Sequence, residues 1–358
     1  MVALSTLARI ELAPPRYLSL PTAGIDLSAG GVKVAMAKET LHGRELDVID
    51  EERFPPGVFQ NNEIADRKVV HQVLTRMRKA HGITFASVSL PEARGYLFET
   101  SVPGSTPLEW RSQVERRLEE FVPLPPAEVV FDIIPLGPAG TNTQIVGIAY
   151  ARQVIESALL PFESAGITVR ALECETFALP RAVLPVGTTD TVLIIDIGKT
   201  TTKLSITTRG IPRFATTLDM GGHALTLAVQ KHFGVTEEEA KRVKVERGLV
   251  VEAGNEEYLS AMLSSISVIR EEITRRLDYW QTHAGTRDPV TRALLVGGNA
   301  TLRGLPEYLS AALRIPVELG DVFTNFAPKS AWLPPVEYTE SLGFGTAVGL
   351  ALRDHLHG

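Results

Sequence analysis

Two stretches of this 358-residue chain repeat one pattern. Gly24-Ile25-Asp26-Leu27, a turn of small residues and Lys33-Val34-Ala35 match Ile194-Ile195-Asp196-Ile197, a second such turn and Lys203-Leu204-Ser205. Aspartate and lysine are seven residues apart in both, and the copies lie 170 residues apart. That interval is too long for a solenoid, whose neighbouring units cover one another, and it suits two related lobes. In each copy an apolar strand ends on a carboxylate, which is costly away from water unless a cation or hydrogen-bond donors meet it. The small residues after it let consecutive backbone N–H groups face one anion. Two such hairpins face to face would grip a polyphosphate through Ser28, Ala29 and Gly30 on one side and Gly198, Lys199, Thr200 and Thr201 on the other. Asp26 and Asp196 are then expected to hold a hydrated Mg2+, and Lys33 to reach the phosphates as a point charge.

A third glycine motif lies beyond the hairpins. In ALLVGGNATLRG a strand leads to Gly297-Gly298-Asn299, with a helix expected from near Leu302. Paired glycines after a strand allow a flat group such as adenine to approach without a side chain in the way. The spacing is neither G-x-G-x-x-G nor a Walker A loop, so neither a dinucleotide fold nor a P-loop is indicated.

Elsewhere, hydrophobic periodicity sets the organisation. Thr22 to Glu39 reads as a hairpin, and Val69, Val70, Val73, Leu74 and Met77 recur at helical spacing, with Lys68, Arg76, Arg78 and Lys79 on a solvated face. From about Pro91 a strand, a helix running up to Pro123, two strands and a helix ending at Gly166 suggest a compact α/β insert of about 75 residues. The stretch from Asp132 to Asn142 reads as a loop between insert strands. Leu259, Met262, Leu263, Ile266, Ile269, Ile273, Leu277 and Trp280 form one stripe of a long amphipathic helix.

Charge and composition exclude several functions. A net charge of −6 gives no electrostatic reason for nucleic-acid binding. Cys174 is the only cysteine, so no internal disulfide or thiolate metal site forms, and the thiol reads as a core residue. The eight histidines show no metal-ligand spacing, and His223 reads as packing at a helix start. Without a signal-like start or an apolar run of about 18 residues, a cytosolic, soluble chain with no direct membrane insertion is expected.

Strand-Asp hairpin, second strand-Asp hairpin and strand-Gly-Gly-helix, in that order, resemble the nucleotide-binding signature of the actin superfamily. Collinear phrases narrow the likeness to the type IV pilus assembly protein PilM family: RRLEEFVPLPPAEVVFDIIPL, ESAGITVRALECETFALPRA, LDMGGHALTLAVQKHFGV with Gly221-Gly222, REEITRRLDYWQ and LGFGTAVGLALR. The resemblance implies an α/β, actin-like two-lobed ATPase fold with a small insert of the kind in the cell-division protein FtsA. Expected units are an extension (1–22), a first lobe (23–91 and 169–188), the insert (92–168), a second lobe (189–335) and a C-terminal helix returning to the first lobe (336–358). It implies ATP with Mg2+ between the lobes, Gly221, Gly222 and Lys244 beside the nucleotide, and a groove between insert and first lobe that takes the cytoplasmic N-terminal tail of a PilN-like inner-membrane protein. Contacts with pilus motor ATPases and the platform protein, and self-association, are compatible with it.

Glu175 matches by spacing the residue with which related ATPases position water; pairing with Arg181 or Arg170 is the other reading. Lys241 stands where relatives usually have a ribose-directed Glu, and pairing with Glu237 or Glu238 is its alternative. Lys199 and Lys203 add charge near the second turn, Lys203 being read as solvated rather than phosphate-bound. The resulting expectation is an ATP-binding scaffold that is at most a weak ATPase. A small-molecule kinase of the same superfamily is the alternative, weakened by the lack of a catalytic-base Asp motif. An FtsA-like tether is the other, disfavoured because the sequence stops at ALRDHLHG without an amphipathic tail.

Overall fold

The structure is a computed structural model and describes residues 21–60, 63–137, 142–283 and 289–356. The expected N-terminal extension lies, up to residue 20, outside the described residues. The chain begins with β1 (Thr22–Ser28), β2 (Gly31–Thr40) and β3 (Gly43–Arg53), passes the short pair β4 (Phe59–Gln60) and β5 (Glu63–Ile64), and continues through α1 (Arg67–His81) to β6 (Phe85–Leu90). Asp66 caps α1 by accepting from Lys68 N and Val69 N, and Gly82 ends it in the left-handed conformation. Val70, Val73, Leu74 and Met77 are buried, as the periodicity requires.

The span expected as the insert holds β7 (Gly95–Pro103), α2 (Pro107–Arg116), β8 (Val129–Pro135), β9 (Asn142–Ala151) and α3 (Arg152–Ser164), and α3 buries Phe162 in the core of the first unit. β9 pairs antiparallel with both β7 and β8. Thr106 and Glu109 form a reciprocal capping box at the start of α2. α2 is shorter than expected: regular helix ends at Arg116, and a 3-10 turn at Leu118–Glu120 brings Leu118 and Val122 into the insert's own core with Phe98, Trp110 and Phe131. Asp132 to Pro135 belong to β8 rather than to a loop, because pairing with β9 runs unbroken from Val129 opposite Ala151 to Pro135 opposite Ile145, with Phe131 buried.

The chain then returns through β10 (Thr168–Cys174) and α4 (Glu175–Val183). The second unit holds β11 (Thr191–Ile197), β12 (Thr202–Thr208), β13 (Ile211–Leu218), α5 (Gly222–Phe233), α6 (Glu237–Arg247), α7 (Glu256–His283), β14 (Arg292–Val296), α8 (Leu305–Leu313) and β15 (Val317–Leu319). The chain closes with α9 (Tyr338–Ser341), α10 (Gly345–Ala351) and α11 (Arg353–Leu356), of which α10 packs on the first unit.

The repeat seen in the sequence extends to whole sheets. One five-stranded sheet runs β10-β6-β1-β2-β3 and the other β13-β12-β11-β14-β15. Numbering the strands within each unit gives the order 3-2-1-4-5 in both. The hairpin pairs are antiparallel and the remaining pairs parallel in each sheet. Parallel strands end at one edge, so both aspartates reach the same kind of place, the carboxyl end of a central strand, where α/β sheets bind ligands. Asp26 pairs in register with Lys33 and Asp196 with Lys203.

Seven members of the predicted stripe on α7 are buried, but Leu263 is exposed. Leu259, Met262, Ile266, Ile269 and Ile273 already follow alternating steps of three and four, which leaves Leu263 on the flank. The helix expected from Leu302 starts at Leu305 instead, after Gly304 in the left-handed region. α10 lies against β1 and α4 through small residues: a side chain at Gly24 would collide with the Ala347 carbonyl, and one at Gly349 with the Ala178 carbonyl. Gly349→Val should therefore destabilise the chain by about 3 kcal/mol, read as a lower urea midpoint, since overpacked backbones cannot relax.

Candidate functional site

The turns of both hairpins, the Gly297-Gly298 segment and the first turns of α5 and α6 line one cavity of about 1430 Å³. The structure gathers there Asp26, Ser28, Ala29, Gly30, Lys33, Glu175, Asp196, Gly198, Lys199, Thr200, Thr201, Gly222, Lys244, Gly297, Gly298 and Asn299. Gly221 is not part of the lining. It sits behind the second turn, packed against the Gly198 and Lys199 carbonyls.

Local hydrogen bonds shape the second turn. Gly198 N donates to Thr201 O at 2.9 Å, which closes it. The start of α5 is locked behind it, with Gly222 N donating to Gly198 O at 3.0 Å and His223 N to Lys199 O at 2.8 Å. Thr202 is buried, and its hydroxyl donates to Met220 O at 2.7 Å, so it braces the turn rather than offering a phosphate donor. His223 is exposed at the cavity, 3.9 Å from Glu237, and does not pack at the helix start. Asn299 donates from Nδ2 to Gly198 O at 3.0 Å and accepts at Oδ1 from Lys244 Nζ at 2.9 Å. Gly297 requires its residue type: its φ is +91°, and a side chain there would strike Asp196 and the Ile197 carbonyl.

The two register-matched lysines differ. Lys33 Nζ donates to Gly343 O at 2.5 Å and lies 3.9 Å from Glu51. Lys203 is not solvated, contrary to the sequence expectation. Its ammonium forms an ion pair with Glu175 and lies 3.9 Å from Asp196, and Asp26 adds further attraction. Those carboxylates raise its pKa against the opposing effect of burial.

Glu175, at the first turn of α4, is accordingly tied on both oxygens. Oε1 accepts from Glu92 N at 3.0 Å, and Oε2 accepts from Lys203. Burial raises the Glu175 pKa, with Lys203 partly offsetting it. Neither Arg181 nor Arg170 takes the place of Lys203: Arg181 pairs with Glu173, and Arg170 lies 3.3 Å from Asp354. Asp26 accepts from Ser89 Oγ at 2.8 Å. Of the two carboxylates expected at Mg2+, Asp196 thus lies beside Lys203 and Asp26 is held by Ser89, and among the described residues no group of three or more His, Cys, Asp or Glu side chains is arranged to hold a metal ion. An ammonium this close to Asp196 competes with a divalent ion for that carboxylate.

Sequence reasoning missed Glu92 and Thr217. Thr217 Oγ1 on β13 donates to Glu92 Oε2 at 2.5 Å, and burial raises the Glu92 pKa. Farther out, Arg213 of β13 donates from Nε to Glu99 of β7 at 2.8 Å. The insert is therefore fastened to the second sheet as well as to the first. Lys241 pairs with Glu237 at 3.0 Å and Glu238 at 2.8 Å, the expected ion-pairing alternative. Cys174 is buried as expected, and burial raises its thiol to about 11. The cavity also has a second arm between α1 and α3, with Phe59, Ile64, Val154, Ala158, Leu160 and Pro161 as apolar lining and Arg67, Lys68 and the Glu63–Arg94 ion pair as charges.

Paired 3-2-1-4-5 sheets with duplicated hairpins around one cleft define an actin-like ATPase fold. The family model for the type IV pilus assembly protein PilM matches residues 24–355, and the chain belongs to that family. Among solved structures, the PilM-PilN type IV pilus biogenesis complex matches with a TM-score of 0.76 at 21% identity, covering 93% of this chain and 98% of that one. MreB5 of Spiroplasma citri matches with TM-scores of 0.55 bound to ADP and 0.54 bound to AMPPNP, each at 14% identity and covering 94% of this chain and 97% of that one. No helix among the described residues is long and apolar enough to cross a membrane.

Lys244 supplies a pH test. Burial lowers its pKa from the ordinary 10.5 to about 8. Between those values the unfolded chain binds more protons, so the stability contributed through this group rises with pH across that window and is lost as pH falls through about 8. The stability difference between wild type and Lys244→Met, from urea melts at pH 7.5 and 10.5, should change by about 2 to 3 kcal/mol in the wild type's favour on going to high pH.

Proposed function

We propose that this chain is an ATP-binding scaffold of the type IV pilus assembly machinery, which hydrolyses ATP slowly or not at all. The observation that carries the nucleotide reading is the meeting of both duplicated turns and Gly297-Gly298 in one cleft. The turn N–H groups of Ser28 to Gly30 and Lys199 to Thr201 would hold the phosphates, the Gly198 N–H being used to close its own turn, with the Lys199 side chain beside them and Gly298, which has no atom near its open face, beneath the base. Slow turnover is expected from the state of Glu175. A carboxylate whose two oxygens are held by Glu92 N and Lys203 Nζ is not available to take a proton from water. Bound ATP would then act mainly by favouring one lobe arrangement.

A PilN-like N-terminal tail would occupy the second arm of the cavity. An extended peptide finds there an apolar floor on α3, including the half-exposed Leu160, and basic side chains at the rim of α1. The chain would thereby sit at the inner face of the cytoplasmic membrane through its partner. The kinase alternative still lacks a candidate acceptor-side base.

Two measurements test this reading. Calorimetry with ATP should show binding that falls at least about tenfold in Asp196→Ala, because the packing of Gly297 against that carboxylate organises the third motif, while phosphate release stays below about one turnover per minute. Rapid hydrolysis would contradict the scaffold. Fluorescence anisotropy with a labelled N-terminal peptide of a PilN-like protein should lose at least about tenfold in affinity in Leu160→Glu, since a buried charge without a partner is unfavourable; an unchanged affinity would place the peptide elsewhere.

A further inference from the structure

The duplicated hairpins invite a comparison of their lysines. Lys33 and Lys203 occupy the same register position opposite an aspartate. Lys33 lines the same cavity, but its ammonium donates to Gly343 O and lies 3.9 Å from Glu51. Lys203 instead reaches across from the second sheet to Glu175 of α4 while staying 3.9 Å from its own Asp196. Its side chain is one-fifth exposed and that of Glu175 less than one-tenth, so the pair is largely screened from water. Asp26, held by Ser89 Oγ at 2.8 Å, adds to the attraction on the same ammonium.

Carboxylates gathered in a desolvated place need a cation. A diffusible divalent ion is one answer, and an ammonium on a covalent stem is another, present at every metal concentration. The two exclude each other in a small space, because like charges at such separations repel strongly. We propose that Lys203 is the resident cation of this cleft, standing in for a divalent ion, so that the chain takes nucleotide phosphates with little dependence on Mg2+. The proposal rests on the nucleotide reading of the cleft.

Two arms of one experiment on the full chain separate its failure from that of the nucleotide reading. Mn2+ is titrated into wild type, Lys203→Met and Lys203→Arg, with the free ion followed by electron paramagnetic resonance. Wild type and Lys203→Arg should take up no Mn2+ below about 1 mM, whereas Lys203→Met should gain a site at least about tenfold tighter. ADP is then titrated by calorimetry with Mg2+ and with EDTA. Wild-type affinity should change by less than about threefold, and that of Lys203→Met should fall at least about tenfold when Mg2+ is removed. Micromolar Mn2+ uptake by wild type, a wild-type ADP affinity that collapses in EDTA, or a folded Lys203→Met that gains no Mn2+ would each overturn the proposal. If Lys203→Met does not fold, the wild-type titrations alone decide. Absence of ADP binding under every condition would refute the nucleotide reading, and the Mn2+ arm would still judge Lys203.

Discussion

Burying carboxylates at the meeting of two sheets is the constraint on which the rest of this structure depends. Asp26, Asp196 and Glu175 come from three different elements, and Lys203 is the cation they share. Removing one partner would leave desolvated charge behind, which costs far more than the loss of a surface pair. The contacts around them answer that need. Ser89 satisfies Asp26, Glu92 N satisfies Glu175, and Thr217 satisfies the Glu92 carboxyl in turn. Because Glu92 opens the insert, the polar network of the cleft continues into the insert's attachment, and the Arg213–Glu99 pair extends it further.

The sheets that present these groups are copies in topology and differ in surroundings. A shared 3-2-1-4-5 order delivers each aspartate to the end of a central strand. The segments packed behind the two turns break the symmetry. After β11 the turn is backed by α5 and by Asn299, whereas after β1 it is backed by the end of β3, where Phe54 N donates to Gly30 O at 3.2 Å. Duplication explains why two anion-binding turns face one cavity, and divergence explains why only one lysine joins the carboxylate floor. Gly24 and Gly349 let α10 pack closely on β1 and α4.

Much of the fold was legible in the sequence because it is written in local patterns. The hairpins, α1, the insert strands and the long helix α7 all rest on periodicity and turn residues. The glycine-rich turns were legible for the same reason, and their convergence was suggested by repetition. The misses concern destinations rather than elements. Nothing local to Lys203 says that its stem crosses to Glu175, since that residue is 28 positions away on another unit. Glu92 has the look of an ordinary turn acid until β13 is packed against it. Leu263 fits the stripe by spacing, and only the three-dimensional neighbours of α7 leave it in solvent. The groove between α1 and α3 has no motif because its walls come from segments about 90 residues apart, as the contact of His71 with Ser164 illustrates.

The central claim is that the two hairpins form one phosphate-binding cleft with Lys203 at its floor. A crystal structure of the chain grown with ADP and EDTA tests it most directly. The account predicts phosphate density between Ser28–Gly30 and Gly198–Thr201, the base near Gly298, and Lys203 still engaged with Glu175. Density for ADP outside this cleft, or a Lys203 side chain swung away from the carboxylates with its place taken up by solvent, would contradict it.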